Sequence, residues 1–148
     1  MPAGIDIRGA LQADASDVAG LLGQLGYPME SRDVASRLEA LARDPDATVL
    51  VAIGYGPVVG LVVVNWCHML HQARPLARIT TLVVDDHERG SGIGRMLVKA
   101  ASQAARMAGC DVLELTTGVR REAAHAFYRA IGFEQSSLRF SRSLRRKV

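Results

Sequence analysis

One segment constrains this chain more than any other: Val83-Val84-Asp85-Asp86-His87-Glu88-Arg89-Gly90-Ser91-Gly92-Ile93-Gly94-Arg95. Before it, Ala77 to Val84 reads as an apolar strand. After it, Ile93, Met96, Leu97, Ala100, Ala101, Ala104 and Ala108 recur at helical spacing, and Gly109 supplies a helix stop. A further strand pattern follows at Val112 to Thr116. A strand, a glycine-rich turn, an amphipathic helix and a second strand make a short β-α-β unit, whose two strands must run parallel with the helix laid over the sheet. Three glycines at alternate positions let the backbone approach a ligand closely. The helix N-terminus beyond them offers unpaired N–H donors and the positive end of a dipole, which together favour an anion. Arg89 and Arg95 add multidentate cationic donors suited to phosphate oxygens.

The rest of the chain surrounds this unit with antiparallel elements. Ile5 to Arg8 fits a short opening strand. Asp14 stands as an N-cap ahead of Val18, Leu21, Leu22 and Leu25, one apolar helical stripe ended by Gly26. Ser31 heads a second helix with Val34, Leu38 and Leu41 inward. Thr48 to Ile53 and Val58 to Trp66 are valine-rich runs joined by Gly54-Tyr55-Gly56-Pro57, a hairpin signature. Arg121 to Ile131 is a helix closed by Gly132, and Phe133 to Leu144 is expected to form one or two final strands. The expected fold class is α+β, with a mixed, mostly antiparallel central sheet flanked by about four helices.

At 148 residues, 49% hydrophobic and 22% charged, the chain is expected to form a single domain over residues 1–148, and it is too apolar for disorder. No apolar run approaches the roughly 18 residues of a membrane span, and no cationic start followed by an apolar stretch marks a signal peptide. Cys67 and Cys110 lack metal-ligand spacing and read as reduced, small apolar side chains, so the expected setting is cytoplasmic, with no membrane partner and no metal. The C-terminal cluster of Arg139, Arg142, Arg145, Arg146 and Lys147 reads as a solvated basic end; it lacks the interleaved aromatics of a single-strand nucleic-acid binder. His68 and His71 read as loop residues between the central strands. Glu114 sits mid-strand, on the outer sheet face or as a remote relay.

Two common phosphate motifs fail on the glycine loop. No Gly-Lys-Ser/Thr follows at P-loop spacing, and the third glycine of a dinucleotide fingerprint would fall at Arg95. A purely structural turn therefore stays open on the loop alone. In its setting, however, Arg89-x-Gly-x-Gly-Ile-Gly resembles the acyl-CoA pyrophosphate loop of the GNAT N-acetyltransferase superfamily. Ala124-His125-Ala126-Phe127-Tyr128-Arg129-Ala130-Ile131-Gly132-Phe133 resembles that family's second signature, an A-x-x-F-Y-x-x-x-G-F helix. The expected order of elements is also similar to the family's fold.

The resemblance implies specific roles. Leu82, Val83 and Val84 would pair through their backbone with the pantetheine arm, as an added strand does. Arg89, Gly90, Ser91, Gly92, Ile93, Gly94 and Arg95 would hold the pyrophosphate, and Tyr128 would stand near the thioester sulfur as general acid. Read without the family, Tyr128 is a core aromatic beside Phe127. Two positions depart from the family pattern: Arg121 replaces an asparagine often found seven residues before the tyrosine, and Thr80 and Thr81 occupy the region where a strand glutamate is frequent. Leu82 to Gly94 and Glu114 to Leu144 are also similar to aminoalkylphosphonate N-acetyltransferases. The implied activity is acetyl transfer from acetyl-CoA to a primary amine of a small molecule, by direct attack in a ternary complex, with a homodimer expected from Leu138, Phe140 and Leu144 on a candidate edge strand. The rival reading is a non-catalytic acyl-CoA-binding sensor or interaction module, which the missing carboxylate at Thr80 and Thr81 would suit.

Overall fold

The computed structural model describes residues 4–117 and 121–146 in two compact units, one up to Thr116 and one from Thr117 onward. The first unit runs β1 (Asp6–Gly9), α1 (Ala15–Leu25), α2 (Ser31–Ala42), β2 (Ala47–Ile53), β3 (Val58–Cys67), β4 (Leu76–Val84), α3 (Ile93–Met107) and β5 (Leu113–Leu115). The second contains α4 (Glu122–Ala130). The five strands lie in sequence order, antiparallel from β1 to β4, and β5 joins β4 in parallel. The fold is α+β with a mostly antiparallel sheet, and the parallel pair is the one expected across the glycine loop.

Strand alternation gives the sheet two apolar faces. Val51, Leu61, Val63 and Val83 pack with Val18 and Leu21 of α1 and Val34 and Leu38 of α2. On the other face, Gly60 of β3 admits α3 closely: a Cβ at Gly60 would stand 2.9 Å from Leu97 Cδ1 and 3.1 Å from an Ile93 methyl. An alanine there would overpack the contact by about 1–3 kcal/mol. The buried stripe of α3 is Ile93, Leu97, Val98, Ala101 and Ala105, rotated slightly from the expected one, with Met96, Ala100, Ala104 and Ala108 at its half-buried margin. Gly109 (φ +92°) ends α3 as expected, and the Cys110 N–H closes the turn on Ala105 O at 2.9 Å.

Two local expectations differ from the structure. Asp14 does precede α1, but its carboxylate makes no cap bond to that helix. Instead it accepts from the Arg8 guanidinium at 2.7 and 2.8 Å and from the Leu11 N–H at 2.7 Å, tying β1 to the start of α1. Arg8 holds the Asp14 carboxyl below the ordinary aspartate range against the opposing effect of burial. The second difference is at the C-terminal end, where Phe133 to Leu144 form no strand. A strand needs a ladder partner, and the described residues of the second unit contain a helix but no strand to pair with.

Candidate active site

The site begins at an interruption in β4. Val63 opposes Thr81 and Val64 opposes Ile79, so Thr80 is an extra residue bulged out of the β3–β4 ladder. On its other side β4 pairs with β5 only at Ala77, Arg78 and Ile79. Past the bulge, β4 keeps β3 as partner from Thr81 to Val84, while its opposite edge has no ladder partner among the described residues.

The backbone groups at that edge follow from one hydrogen bond. The Asp85 N–H donates to Val59 O at 2.8 Å. In a planar trans peptide the preceding carbonyl points the opposite way, so Val84 C=O faces the open edge. Backbone groups alternate along a strand, which sends those of Leu82 and Val84 to the open edge and those of Val83 toward β3. Val83 also buries its side chain in the core beneath α1 and α2.

The open edge leads directly into the glycine loop. A 3₁₀ turn at Asp86–Glu88 precedes it, and Gly90 (φ +81°) and Gly92 (φ +90°) hold left-handed conformations that a side chain would strain. The first α3 hydrogen bond runs from the Met96 N–H to Gly92 O at 3.1 Å. The N–H groups of Ile93, Gly94 and Arg95 therefore have no acceptor within the helix, and they lie at the positive end of a 15-residue dipole. Ile93 contributes only its backbone, since its side chain is in the core. Ser91 turns its hydroxyl back onto Glu88 O, which shapes the loop. Arg89 pairs with Asp86 at 2.8 Å, and Arg95 is exposed. The donors, the open edge and the absent Cβ atoms suit a diphosphate joined to an extended amide-bearing arm. A shallow groove lined by Ile5, Tyr55, Pro57, Val59, Glu88 and Ser91 lies on the side of the loop facing the β2–β3 turn, away from the β4 edge.

The loop is braced from α1, a contact that sequence periodicity does not reveal. Gln24 Oε1 accepts from the Asp86 N–H at 2.9 Å, and Gln24 Nε2 donates to Asp85 Oδ2 at 3.4 Å. The His87 N–H, with Gln24 in support, holds the Asp85 carboxyl below its ordinary range. Gln24→Met keeps the length of the side chain and removes both bonds. One is a neutral bond and the other a long, exposed bond to a carboxylate, and both reach the ligand only through the loop, so a loss of about 1 kcal/mol, roughly 3–10-fold in CoA affinity, is expected with little change in Tm. Calorimetric titration of the folded variant checks this, and unchanged affinity would leave Gln24 a surface residue.

In the second unit, Tyr128 lies on α4, half-buried, with its ring edge-on to Phe127 (centroids 5.5 Å) and to Phe133 (5.9 Å). Gly132 (φ +100°) ends this helix, and the Phe133 N–H returns to Tyr128 O at 2.9 Å. Burial pushes the Tyr128 phenol above its ordinary pKa, opposed in part by the Arg121 guanidinium, so the hydroxyl keeps its proton at neutral pH. Arg121 occupies the N-cap position of α4 without a side-chain cap bond.

The remaining candidates belong neither to the glycine loop nor to the Leu82–Val84 edge. His68 Nε2 stands 3.5 Å from an Asp46 carboxylate oxygen, and both cysteines are free thiols, Cys67 exposed and Cys110 buried. Glu114 is gripped by Arg78 of the neighbouring strand. Among the described residues no three His, Cys, Asp or Glu side chains converge as a metal site, and no helix is long and apolar enough to cross a membrane.

Residues 18–133 match the model of the acetyltransferase (GNAT) family. The chain belongs to that family. It is 32% identical over 140 residues to the aminoalkylphosphonate N-acetyltransferase of Salmonella typhimurium, covering 94% of this chain and 91% of that one. It is 33% identical over 134 residues to the aminoglycoside N(6')-acetyltransferase type 1 of Stenotrophomonas maltophilia, covering 88% and 86%. In fold it is similar to an aminoglycoside N-acetyltransferase solved in complex with CoA, with a TM-score of 0.84 at 19% identity over 97% of this chain and 99% of that one. As a GNAT enzyme this protein is an acyltransferase with acetyl-CoA as cosubstrate.

Proposed function

We propose that the whole chain acts as one domain that moves an acetyl group from acetyl-CoA to the primary amine of a small molecule, by direct attack in a ternary complex. The observation that carries this reading is the open β4 edge, which runs from the bulge at Thr80 into the glycine loop at the start of α3. Leu82 and Val84 bind the amide-bearing arm as an added strand would, and the N–H groups of the Gly90–Arg95 stretch hold the diphosphate, with Arg89 and Arg95 supplying charge. Val83 supports the site from the core. Acetyl-CoA supplies a thioester, an acyl donor activated enough for an amine to attack without a metal or a covalent enzyme intermediate.

An alkylammonium has no lone pair and must first lose its proton. Thr80 and Thr81 cannot take it near neutral pH, so a base positioned elsewhere or ordered water leading out of the site removes it. Orientation of the bound amine supplies much of the rate, and strand N–H groups stabilise the developing oxyanion. The C–N bond forms, the C–S bond breaks, and the Tyr128 phenol gives its proton to the leaving sulfur before recovering one from solvent. Screening amines for CoA thiol release tests the function; aminoalkylphosphonates come first because a 32%-identical relative bears that name, followed by amino sugars, polyamines and peptides. CoA binding without turnover of any amine would remove the catalytic reading of these residues.

The same reading places the enzyme in the cytosol, where Cys67 and Cys110 stay reduced, and makes it a homodimer. Leu138, Phe140 and Leu144 are 79%, 89% and 90% exposed and share one strand-period face, on which Arg142 is the charged member. A segment patterned as a strand, without a ladder among the described residues, supports pairing with a second copy. Sedimentation at micromolar concentration is expected to give twice the 15.9 kDa chain mass. A monomer at that concentration would refute the dimer.

A further inference from the structure

The sheet register lines up three polar side chains where β4 and β5 part. Asn65 of β3 opposes Arg78 of β4, which in turn opposes Glu114 of β5. Partners in register share a face, and Asn65 follows Leu61 and Val63 at strand period, so the row continues the face that α1 and α2 cover higher up. The covering stops short of the row: Asn65 is half-buried, and the Arg78 and Glu114 side chains are 55% and 38% exposed. The bulged Thr80 lies against the row, its hydroxyl donating to Asn65 Oδ1 at 3.2 Å.

The row stands where an acyl group would be delivered. An arm anchored at the glycine loop and laid along the β4 edge from Val84 meets the β5 ladder at Ile79 after roughly 17 Å of strand. The row is one residue pair beyond that point. Arg78 uses Nε and Nη2 on a single carboxylate oxygen, Glu114 Oε1. The pair thus holds itself in place and still presents Nη1 donors and the Oε2 acceptor.

We infer that the Asn65–Arg78–Glu114 row recognises the acceptor and selects an amine that also carries an oxyanion a few bonds from its nitrogen. Arg78 donates to the oxyanion through its remaining guanidinium face, and the Asn65 amide is placed beside it. Glu114 Oε2 accepts from the incoming ammonium. A row that pairs one positive with one negative side chain complements a zwitterion; an amine without an anionic group would use only half of it. All three residues act by binding and orienting the substrate, and this inference rests on the acetyl-transfer reading above.

Three probes of similar length separate the possibilities: 2-aminoethylphosphonate, β-alanine and n-propylamine. The parent is expected to favour the two oxyanion-bearing amines, and the ratio between them identifies phosphonate or carboxylate as the preferred group. Arg78→Met should lower kcat/KM for the favoured amine by about 10–100-fold more than for propylamine, the worth of a charge-assisted hydrogen bond to the oxyanion, over and above any loss common to all three from freeing Glu114. Arg78→Lys should restore part of the loss. A merely structural ion pair would move all three probes together, so an unchanged preference ratio in folded Arg78→Met overturns the inference. A parent that acetylates propylamine as well as the other two does the same. Turnover of none of the three with CoA bound overturns the acceptor assignment alone, whereas failure to bind CoA removes the acetyl-transfer reading and this inference with it.

Discussion

Replacing Tyr128 by phenylalanine is expected to lower kcat on the order of 10²–10⁴-fold while leaving acetyl-CoA affinity near that of the parent. The substitution keeps the ring, and with it the edge-on contacts to Phe127 and Phe133. Only the hydroxyl is lost, so a large loss of rate cannot be charged to packing. The raised pKa of the phenol matters here: burial keeps the proton on the oxygen through and beyond neutral pH. For an acid with a raised pKa, the active, protonated form is present below that pKa and lost above it. Any decline in kcat due to this group therefore belongs on the alkaline side, above the ordinary phenol value of about 10. Steady-state kinetics paired with calorimetric titration of CoA checks the two halves of the expectation. Weakened binding at normal kcat would make Tyr128 a pocket wall, and parental behaviour in both would make it a core aromatic.

Gly92→Asp is expected to weaken CoA binding by an amount on the order of 10²-fold. Two effects combine. Gly92 sits at φ +90°, where a residue with a Cβ carries about 1–3 kcal/mol of strain. The new carboxylate would also lie beside the Ile93, Gly94 and Arg95 N–H groups, competing for donors proposed to hold a diphosphate. Gly92→Ala carries the strain without the charge and should fall between parent and aspartate variant. Calorimetry on folded proteins decides it, with the Tm of each variant as control. Equal affinity in parent and Gly92→Asp would move the diphosphate away from this loop.

The local features were legible because they depend on neighbours along the chain. Apolar residues at helical spacing marked α1, α2 and α3, and glycines at 26, 109 and 132 marked helix ends where the structure has positive φ. The parallel pairing of β4 with β5 followed from the intervening helix, since parallel strands need a crossover. The conformation of the glycine loop was legible for the same reason: positive φ at Gly90 and Gly92 is a freedom written in the residue type itself. At Phe133 to Leu144 the local pattern misled, because alternation describes a strand's two faces and says nothing of whether a partner is at hand.

Residue types and local spacing were thus enough for the family, the α+β class and the backbone conformation of one loop. The tertiary structure decided which residues meet across elements. Thr80 became a bulge only through its register with Val63 and Val64, and that bulge, with the short β5, opens the edge between β4 and β5. The reach of Gln24 from α1 to Asp85 and Asp86 spans 61 and 62 positions of chain, and Arg78 meets Glu114 across 36. Asp14 left its expected capping role because Arg8, on the neighbouring strand β1, offered a charged partner at 2.7 Å. Helical periodicity and turn chemistry act over a few residues, so one segment carries them. Register and side-chain pairing are set by the packing of distant segments, which no single segment encodes.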